Sequence, residues 1–307
     1  MIPLFQYYRI AAAYLILLIH QQFWAKPLVL GRLTGVAVPL FAAMAGFLFA
    51  RTLSSDFEFK SVLTKKAKRI LIPYVVWAVV YWVANGVILD GAIKHESIVV
   101  PSIHSWLFGG TACHLWFLPC LFVAFASFTV FAYGCGKVTH FFDLFVIALS
   151  AAAQFIGDST SATFAGYVKL YFSRLMFYFA AGHLLAAIPL NRSIFGCYLC
   201  GVTVMIGVGN VMLRWTDGLI LNPFLLVVGL VMIADIARDV RVPKLVEKLA
   251  VSSMGIYLVH VLFTSGANFA LQKIGHSTLP SLLGFALTVL LFAMSYGLVQ
   301  VLPKRMF

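Results

Sequence analysis

Long apolar stretches separated by short polar segments run along the whole chain. Most are close to the length of about 20 residues that an α-helix needs to cross the hydrocarbon core of a bilayer. The pattern predicts ten membrane-spanning helices, at 5–24, 34–53, 70–89, 115–134, 141–157, 168–187, 195–213, 218–235, 251–272 and 280–302. We therefore predict an all-α, polytopic integral membrane protein that forms one transmembrane domain over residues 1–307.

The composition supports this prediction, because 62% of the residues are hydrophobic and only 10% are charged. A soluble domain of this composition would lack the polar residues to cover its surface. Lys and Arg concentrate at cytoplasmic span ends. Fourteen of them lie at the termini and in the even-numbered loops, against seven in the odd-numbered loops. Both termini are therefore predicted to be cytoplasmic.

The net charge of +12 follows mainly from this topology. It favours contact with anionic membrane lipids and does not indicate a nucleic-acid partner. The five cysteines are odd in number and lie mostly within or beside spans, so no disulfide framework is expected. Cys197 and Cys200 have the spacing of a redox or metal pair, but two packing residues are the better interpretation inside an apolar helix. No metal is expected.

The first apolar stretch carries two ionisable residues, Arg9 and His20. Eleven helical steps turn them to nearly the same side, about 16 Å apart along the helix axis. Ionisable side chains are costly in a membrane span unless they face a polar cavity or the bundle interior. This pair therefore predicts a reactive centre.

A basic segment precedes the third predicted span and contains Lys66, Lys68 and Arg69, with Arg51 at the end of the second span. Such a group of cations suits a ligand with several phosphates. The competing interpretation is that they only anchor a cytoplasmic loop. Charge alone does not decide between the two.

Four further residues are candidates for substrate contacts. His114 and Trp116 lie where the outer loop re-enters the membrane, and a solvated loop histidine and an interfacial tryptophan are the alternatives. His260 lies within a span near Tyr257, where it contacts substrate or bonds across helices. The ten carboxylates fall in loops or at span ends. Since none is clearly mid-membrane, the pattern argues against an ion-coupled transporter.

Several segments, in order along the chain, resemble the membrane-bound acyltransferase-3 family. They are Arg9 with His20, VPLFAAMAGFLFARTL at 38–53, the basic residues at 66–69 followed by ILIPYVVW at 70–77, HLWFLPCLF at 114–122 and SMGIYLVHVLF at 253–263. The chain departs from the family pattern at Gln6, where an acidic residue is common, at Ala45, where serine is usual, and at Lys66, where arginine is common.

The resemblance implies an O-acetyltransferase that moves an acetyl or other acyl group from acetyl-CoA to a hydroxyl of a cell-surface or lipid-linked carbohydrate. It implies His20 as general base or as acyl carrier, and Arg9, nearer the cytoplasm, as the residue that holds the donor or stabilises developing negative charge. The CoA phosphates would bind Lys66, Lys68, Arg69 and Arg51, and the carbohydrate would contact Trp116, His114, His260 and Tyr257. A bacterial inner membrane is the implied location, and a homo-oligomer is compatible with the sequence.

Two other classes of protein stay open at this point. The first is an exporter of glycans or lipid-linked sugars, in which His20 and Arg9 line a path without making or breaking bonds. The second is a structural membrane subunit whose polar residues only bridge helices.

Overall fold

The computed structural model describes residues 2–52, 58–84, 111–135, 140–153, 169, 171–188, 194–213, 221–275, 278–303 and 306–307. Apart from an isolated β-bridge between Trp24 and Leu279, regular secondary structure in these ranges is helical. The α-helices are α1 (Pro3–Ile19), α2 (Leu28–Leu33), α3 (Ala37–Thr52), α4 (Phe59–Val83), α5 (Phe117–Cys135), α6 (His140–Ala152), α7 (Phe177–Ala187), α8 (Ile194–Leu213), α9 (Leu221–Ile236), α10 (Lys244–Lys273) and α11 (Ser281–Val301). A 3₁₀ turn, Thr34–Val36, joins α2 to α3, and a π-helical turn, Phe172–Met176, leads into α7.

The all-α prediction is confirmed, and each predicted span overlaps a helix. Five segments within the described ranges are long and apolar enough to cross a membrane: Leu28–Thr52, Phe117–Cys135, Gly196–Leu213, Lys244–Lys273 and Ser281–Val301. Four apolar helices are shorter: Pro3–Ile19, His140–Ala152, Phe177–Ala187 and Pro223–Ile236. The count of ten spans and the cytoplasmic termini therefore stay predictions.

Helix α1 ends at Ile19, five residues earlier than predicted. The chain leaves the helix because the next residues bond to the start of α11. The Gln21 side-chain oxygen accepts hydrogen bonds from Trp24 Nε1 at 2.9 Å and from Thr288 Oγ1 at 2.7 Å. The buried Trp24 ring packs against Gly284. His20 thus lies at the C-terminal end of α1 and not within a longer span.

Helices α3 and α7 pack at backbone contact distance. A Cβ atom on Gly46 would overlap the carbonyl oxygen of Phe179, and one on Gly182 would overlap the carbonyl oxygen of Ala43. Small residues permit this close approach, which is a common way for membrane helices to associate. Gly46 belongs to the segment at 38–53 that resembles the family pattern, so that segment has a packing role here.

Helix α1 lies between α3 and α10, and α4 pairs with α5. The buried residues of α1 include Phe5, Ala12, Ala13, Ile16 and Leu17, which belong to the apolar interior. This arrangement brings the C-terminal end of α1 next to the turn before α5 and to the middle of α10.

Candidate active site

Three histidines from distant parts of the sequence form one cluster. The ring centroid of His20 lies 5.1 Å from that of His260 and 6.0 Å from that of His114, and the last two are 5.1 Å apart. His20 is the C-cap residue that follows α1, His114 lies in the turn before α5, and His260 is in the middle of α10. We call these three side chains the histidine cluster.

His20 is the most accessible member of the histidine cluster, because it is half-buried whereas the other two are buried. Its backbone carbonyl accepts a hydrogen bond from Asn268 Nδ2 at 3.4 Å, which ties the end of α1 to α10. Its Nδ1 lies 3.5 Å from Sγ of Cys113, an exposed residue. The His20 side chain is therefore only partly enclosed by the fold.

His260 is 1% exposed and has a defined tautomer. Its Nδ1 lies 2.6 Å from the carbonyl oxygen of Tyr257, three residues earlier in the same helix. A carbonyl oxygen only accepts, so Nδ1 carries the proton. Nε2 then presents a lone pair, and it has no hydrogen-bond partner among the described residues. Sequence analysis offered a hydrogen bond to another helix as one role for His260. The Nδ1 atom does not form such a bond, because its partner lies in the same helix.

His114 is 3% exposed and is fixed in a similar way. Its Nε2 lies 3.4 Å from the carbonyl oxygen of Leu258, so the proton is on Nε2. Nδ1 has no hydrogen-bond partner in the part of the chain that the structure describes. Burial, together with the nearby His260 and His20, lowers the pKa of His114 well below its usual range. The ring therefore stays neutral.

Two tyrosines hold the backbone around these rings. The Tyr257 hydroxyl donates to the carbonyl oxygen of His114, and the Tyr81 hydroxyl donates to the carbonyl oxygen of Leu258 at 2.6 Å. Tyr257 thus fixes the position of His114, which makes it a positioning residue. The resulting site presents two buried imidazole nitrogens that can only accept hydrogen bonds. A ligand that satisfies them must bring donors, and hydroxyl groups are such donors.

A second group of predicted residues lies toward the opposite end of α1 and α4. Arg69 is close enough to Arg9 and to Lys66 to repel both electrostatically. We call Arg9, Lys66 and Arg69 the basic cluster. Lys66 Nζ lies 3.9 Å from the ring centroid of Phe125 and 5.5 Å from that of Phe49. Three converging cations favour an anionic ligand.

Lys66 is the cation in this cluster whose charge is sensitive to pH. Burial, and to a smaller extent the charge of Arg69, lowers the pKa of Lys66 to about 8. The two aromatic faces offset part of this cost through cation–π contacts. Lys66 is thus largely protonated at neutral pH and loses its charge under mildly alkaline conditions.

The remaining predicted residues have different surroundings. Arg51 pairs with Asp235 at 2.8 Å, and Arg238 shares the same carboxylate oxygen at 2.7 Å. The guanidinium of Arg51 therefore already has an acidic partner within the protein. Lys68 is exposed on α4. Trp116 is half-buried and packs edge-on against Phe117, with ring centroids 6.3 Å apart.

The separation of the histidine cluster from the basic cluster is similar along α1 and along α4. Arg9 and His20 differ by eleven residues of α1, which corresponds to about 16 Å. In α4, Tyr81 contacts His114, with ring centroids 5.0 Å apart. Arg69 precedes Tyr81 by twelve residues, which corresponds to about 18 Å of helix. Both helices therefore connect the same two ends of the bundle. An elongated ligand could contact both clusters at once.

The structure corrects one argument drawn from the sequence. Asp143 and Asp235 do lie at helix ends, but their side chains are buried inside the bundle, at 0% and 3% exposure. Asp143 Oδ1 lies 2.9 Å from Nδ1 of His183, and Asp235 is paired with the two arginines. The sequence argument against an ion-coupled transporter assumed that buried carboxylates are absent, and that assumption is wrong.

Sequence analysis missed the contact between Cys113 and His20, which are 93 residues apart. The position of Cys113 directly before His114 was the available signal. It also missed the pairing of Asp143 with His183, because nothing in the spacing of these residues predicts that α6 and α7 are neighbours.

Comparison with known families adds one finding. A model of the acyltransferase-3 family, described as an acyltransferase domain, matches residues 5–300. This range includes both clusters and nearly the whole chain. Comparisons with curated proteins and with solved structures give no match.

Proposed function

This chain belongs to the acyltransferase-3 family, and we propose that it is an integral membrane O-acetyltransferase. It transfers an acetyl or other acyl group from acetyl-CoA to a hydroxyl group of a cell-surface or lipid-linked carbohydrate. The histidine cluster carries this proposal. A half-buried imidazole lies beside two buried nitrogens that accept hydrogen bonds, which is a suitable environment for a hydroxyl nucleophile.

In this proposal the acceptor hydroxyl binds at the histidine cluster. The lone pairs on His260 Nε2 and His114 Nδ1 accept hydrogen bonds from carbohydrate hydroxyl groups. His20 is the general base that takes the proton of the reacting hydroxyl as its oxygen attacks the acyl carbonyl carbon. Trp116 is close enough in sequence to His114 to form the edge of the carbohydrate site.

The CoA end of the donor binds at the basic cluster. Arg9, Lys66 and Arg69 neutralise its phosphates, and Lys68 and Arg51 contribute positive charge at the periphery. The pantetheine arm then extends between α1 and α4 and brings the thioester to His20. This assigns Arg9 to donor binding, since about 16 Å of helix separates it from the reacting atoms.

The predicted topology orients the two clusters with respect to the two sides of the membrane. With both termini in the cytoplasm, the basic cluster faces the cytoplasmic pool of acyl-CoA and the histidine cluster lies toward the outer side. The acceptor would be a carbohydrate presented at the outer face of a bacterial inner membrane.

The direct test is acyl transfer by the purified full-length protein in lipid nanodiscs. The protein is incubated with radiolabelled acetyl-CoA and a panel of neutral oligosaccharides, and labelled product and free CoA are measured. His20→Ala should reduce turnover by about 100-fold or more, because a positioned general base contributes at least that much. His140→Ala, which removes an exposed imidazole of α6, is the matched control. Equal turnover by His20→Ala and the wild type would reject the role of His20.

One observation favours a second candidate, a proton-coupled exporter of glycans. The buried pair Asp143 and His183 is a protonatable group inside a membrane bundle. Export by such a protein consumes no acyl-CoA. Glycan uptake into inverted proteoliposomes that depends on a pH gradient and is unaffected by acetyl-CoA would support this candidate instead.

A further inference from the structure

We infer that Cys113 is the nucleophile that carries the acyl group as a thioester, with His20 as its base, before the group passes to the carbohydrate. This inference rests on the proposed function and adds a covalent intermediate to it. The observation behind it is the contact of 3.5 Å between Cys113 Sγ and His20 Nδ1. Nucleophile and base within hydrogen-bond reach are the signature of nucleophilic catalysis.

The surroundings of Cys113 hold it in this position. It lies in a short turn that leads into α5, where Leu115 N bonds to the carbonyl oxygen of Ala112 at 3.0 Å. The neighbouring His114 is buried, and its carbonyl is held by Tyr257. On the other side, Asn268 holds the backbone of His20. Both partners of the pair thus sit on fixed backbone, while the thiol itself is exposed to an incoming thioester.

The other four cysteines have different surroundings. Cys120 is buried, and its Sγ donates to the carbonyl oxygen of Tyr171 at 3.8 Å. Cys200 is buried in α8, where Cys197 is exposed. Cys135 is exposed at the far end of α5, about 27 Å of helix from its start. Cys135 is therefore a matched control, an exposed thiol carried by the same helix but remote from the histidine cluster.

The two buried histidines supply the second, independent observation. His260 Nε2 and His114 Nδ1 are buried lone pairs without a partner among the described residues, and both rings lie within 6.0 Å of His20. These atoms suit an acceptor hydroxyl and cannot donate to the carbonyl of a thioester. The site thus has one part for the hydroxyl group and another, Cys113 with His20, for the acyl group.

The reaction balances in two steps that share the same base. His20 takes the Cys113 proton, and the thiolate attacks the acyl carbonyl carbon. The bond from this carbon to the CoA sulfur breaks, and His20 returns the proton to the leaving thiolate. In the second step His20 takes the proton of the carbohydrate hydroxyl, whose oxygen attacks the Cys113 thioester. The carbon–sulfur bond breaks, and Cys113 regains the proton. No oxidant, reductant or further reactant is needed.

The test is to trap the acyl-enzyme. Full-length protein in nanodiscs is mixed with radiolabelled acetyl-CoA without acceptor, quenched in acid, digested and analysed by mass spectrometry. We expect one acetyl group on the peptide that contains Cys113, released by neutral hydroxylamine as a thioester is. Cys135→Ala should keep this label, and Cys113→Ala should lose it. Cys113→Ser should give an ester that hydroxylamine does not release.

Turnover gives a readout that a structural role of Cys113 would not produce. Cys113→Ala should reduce acyl transfer to the level of His20→Ala, and the double variant should be no worse, because residues that act as one unit are not additive. Full transfer by a folded Cys113→Ala protein, or label found on His20 instead, overturns the thioester intermediate but leaves the acyltransferase proposal intact. Absence of acetyl-CoA consumption by the wild type would instead reject the proposed function.

Discussion

The histidine cluster and the basic cluster, which lie at different levels of α1, differ in burial and in charge. At the histidine cluster His114 and His260 are buried, and bonds to the carbonyl oxygens of Leu258 and Tyr257 fix the positions of their protons, while His20 is half-buried. In the basic cluster the groups are charged, and Arg69 stays exposed while Lys66 is only partly buried. Burial of a charge is far more costly than burial of a hydrogen-bonded neutral group. A site for proton transfer can therefore lie in the interior, whereas a site for phosphates stays near the surface.

This difference separates binding from chemistry. A change in the basic cluster should weaken binding of the donor and leave the chemical step intact. A change in the histidine cluster should affect the acceptor or the chemical step and leave donor binding intact. Three variants test this division, in order of expected effect.

The largest effect is expected for Arg69→Ala. Loss of a charged hydrogen bond to phosphate costs about 1.5–3 kcal/mol, so KM for acetyl-CoA should rise about 10- to 100-fold with kcat unchanged. Steady-state kinetics at saturating acceptor measure this. Lys60→Ala removes an exposed cation near the start of α4 and is the matched control. A fall in kcat for Arg69→Ala at unchanged KM would contradict the division of roles.

A smaller effect is expected for His260→Leu, which removes the Nε2 acceptor at similar volume. Loss of an uncharged hydrogen bond costs about 0.5–1.5 kcal/mol, so KM for the carbohydrate should rise about 3- to 10-fold. KM for acetyl-CoA should not change. His260→Gln restores an acceptor oxygen and should recover part of the loss. Melting temperatures of both variants in nanodiscs control for misfolding, and a rise of KM for acetyl-CoA alone would contradict the assignment.

The smallest effect is a change of the pH profile through Lys66. Because the pKa of Lys66 is lowered to about 8, its positive charge is present below pH 8 and is lost as the pH rises through that value. Donor phosphates should then bind more weakly, so KM for acetyl-CoA should rise by a few-fold between about pH 7 and 9. Lys66→Arg keeps its charge over this range and should remove the rise. An unchanged profile in Lys66→Arg would exclude Lys66 as the titrating group.

Sequence analysis predicted the features that depend on local spacing. Ten apolar stretches predicted where helices form, and the spacing of eleven positions from Arg9 to His20 predicted their separation along the first helix. The family resemblance rested on such segments, and the family match confirms it. The end of α1 was predicted less well, because its boundary depends on bonds from Gln21 to Trp24 and Thr288.

Features that depend on contacts between helices were beyond sequence analysis. Charge and position made Arg51 a candidate for phosphate binding, but Asp235 lies beside it in the folded protein and pairs with it. For Cys113 the reverse holds, since sequence analysis assigned it no role, and the fold places its sulfur 3.5 Å from Nδ1 of His20. In both cases the partner is distant in sequence, and spacing along one helix carries no information about it.

The sequence by itself determined that this is a helical membrane protein of the acyltransferase-3 family with Arg9 and His20 on its first helix. Hydropathy and the 3.6-residue period are properties of neighbouring residues, so they can be read along the chain. Only the tertiary structure decided that His114 and His260 surround His20, and which of their nitrogens carry protons. The physical reason is that proton positions depend on which carbonyl oxygen lies nearby, and packing between helices sets that.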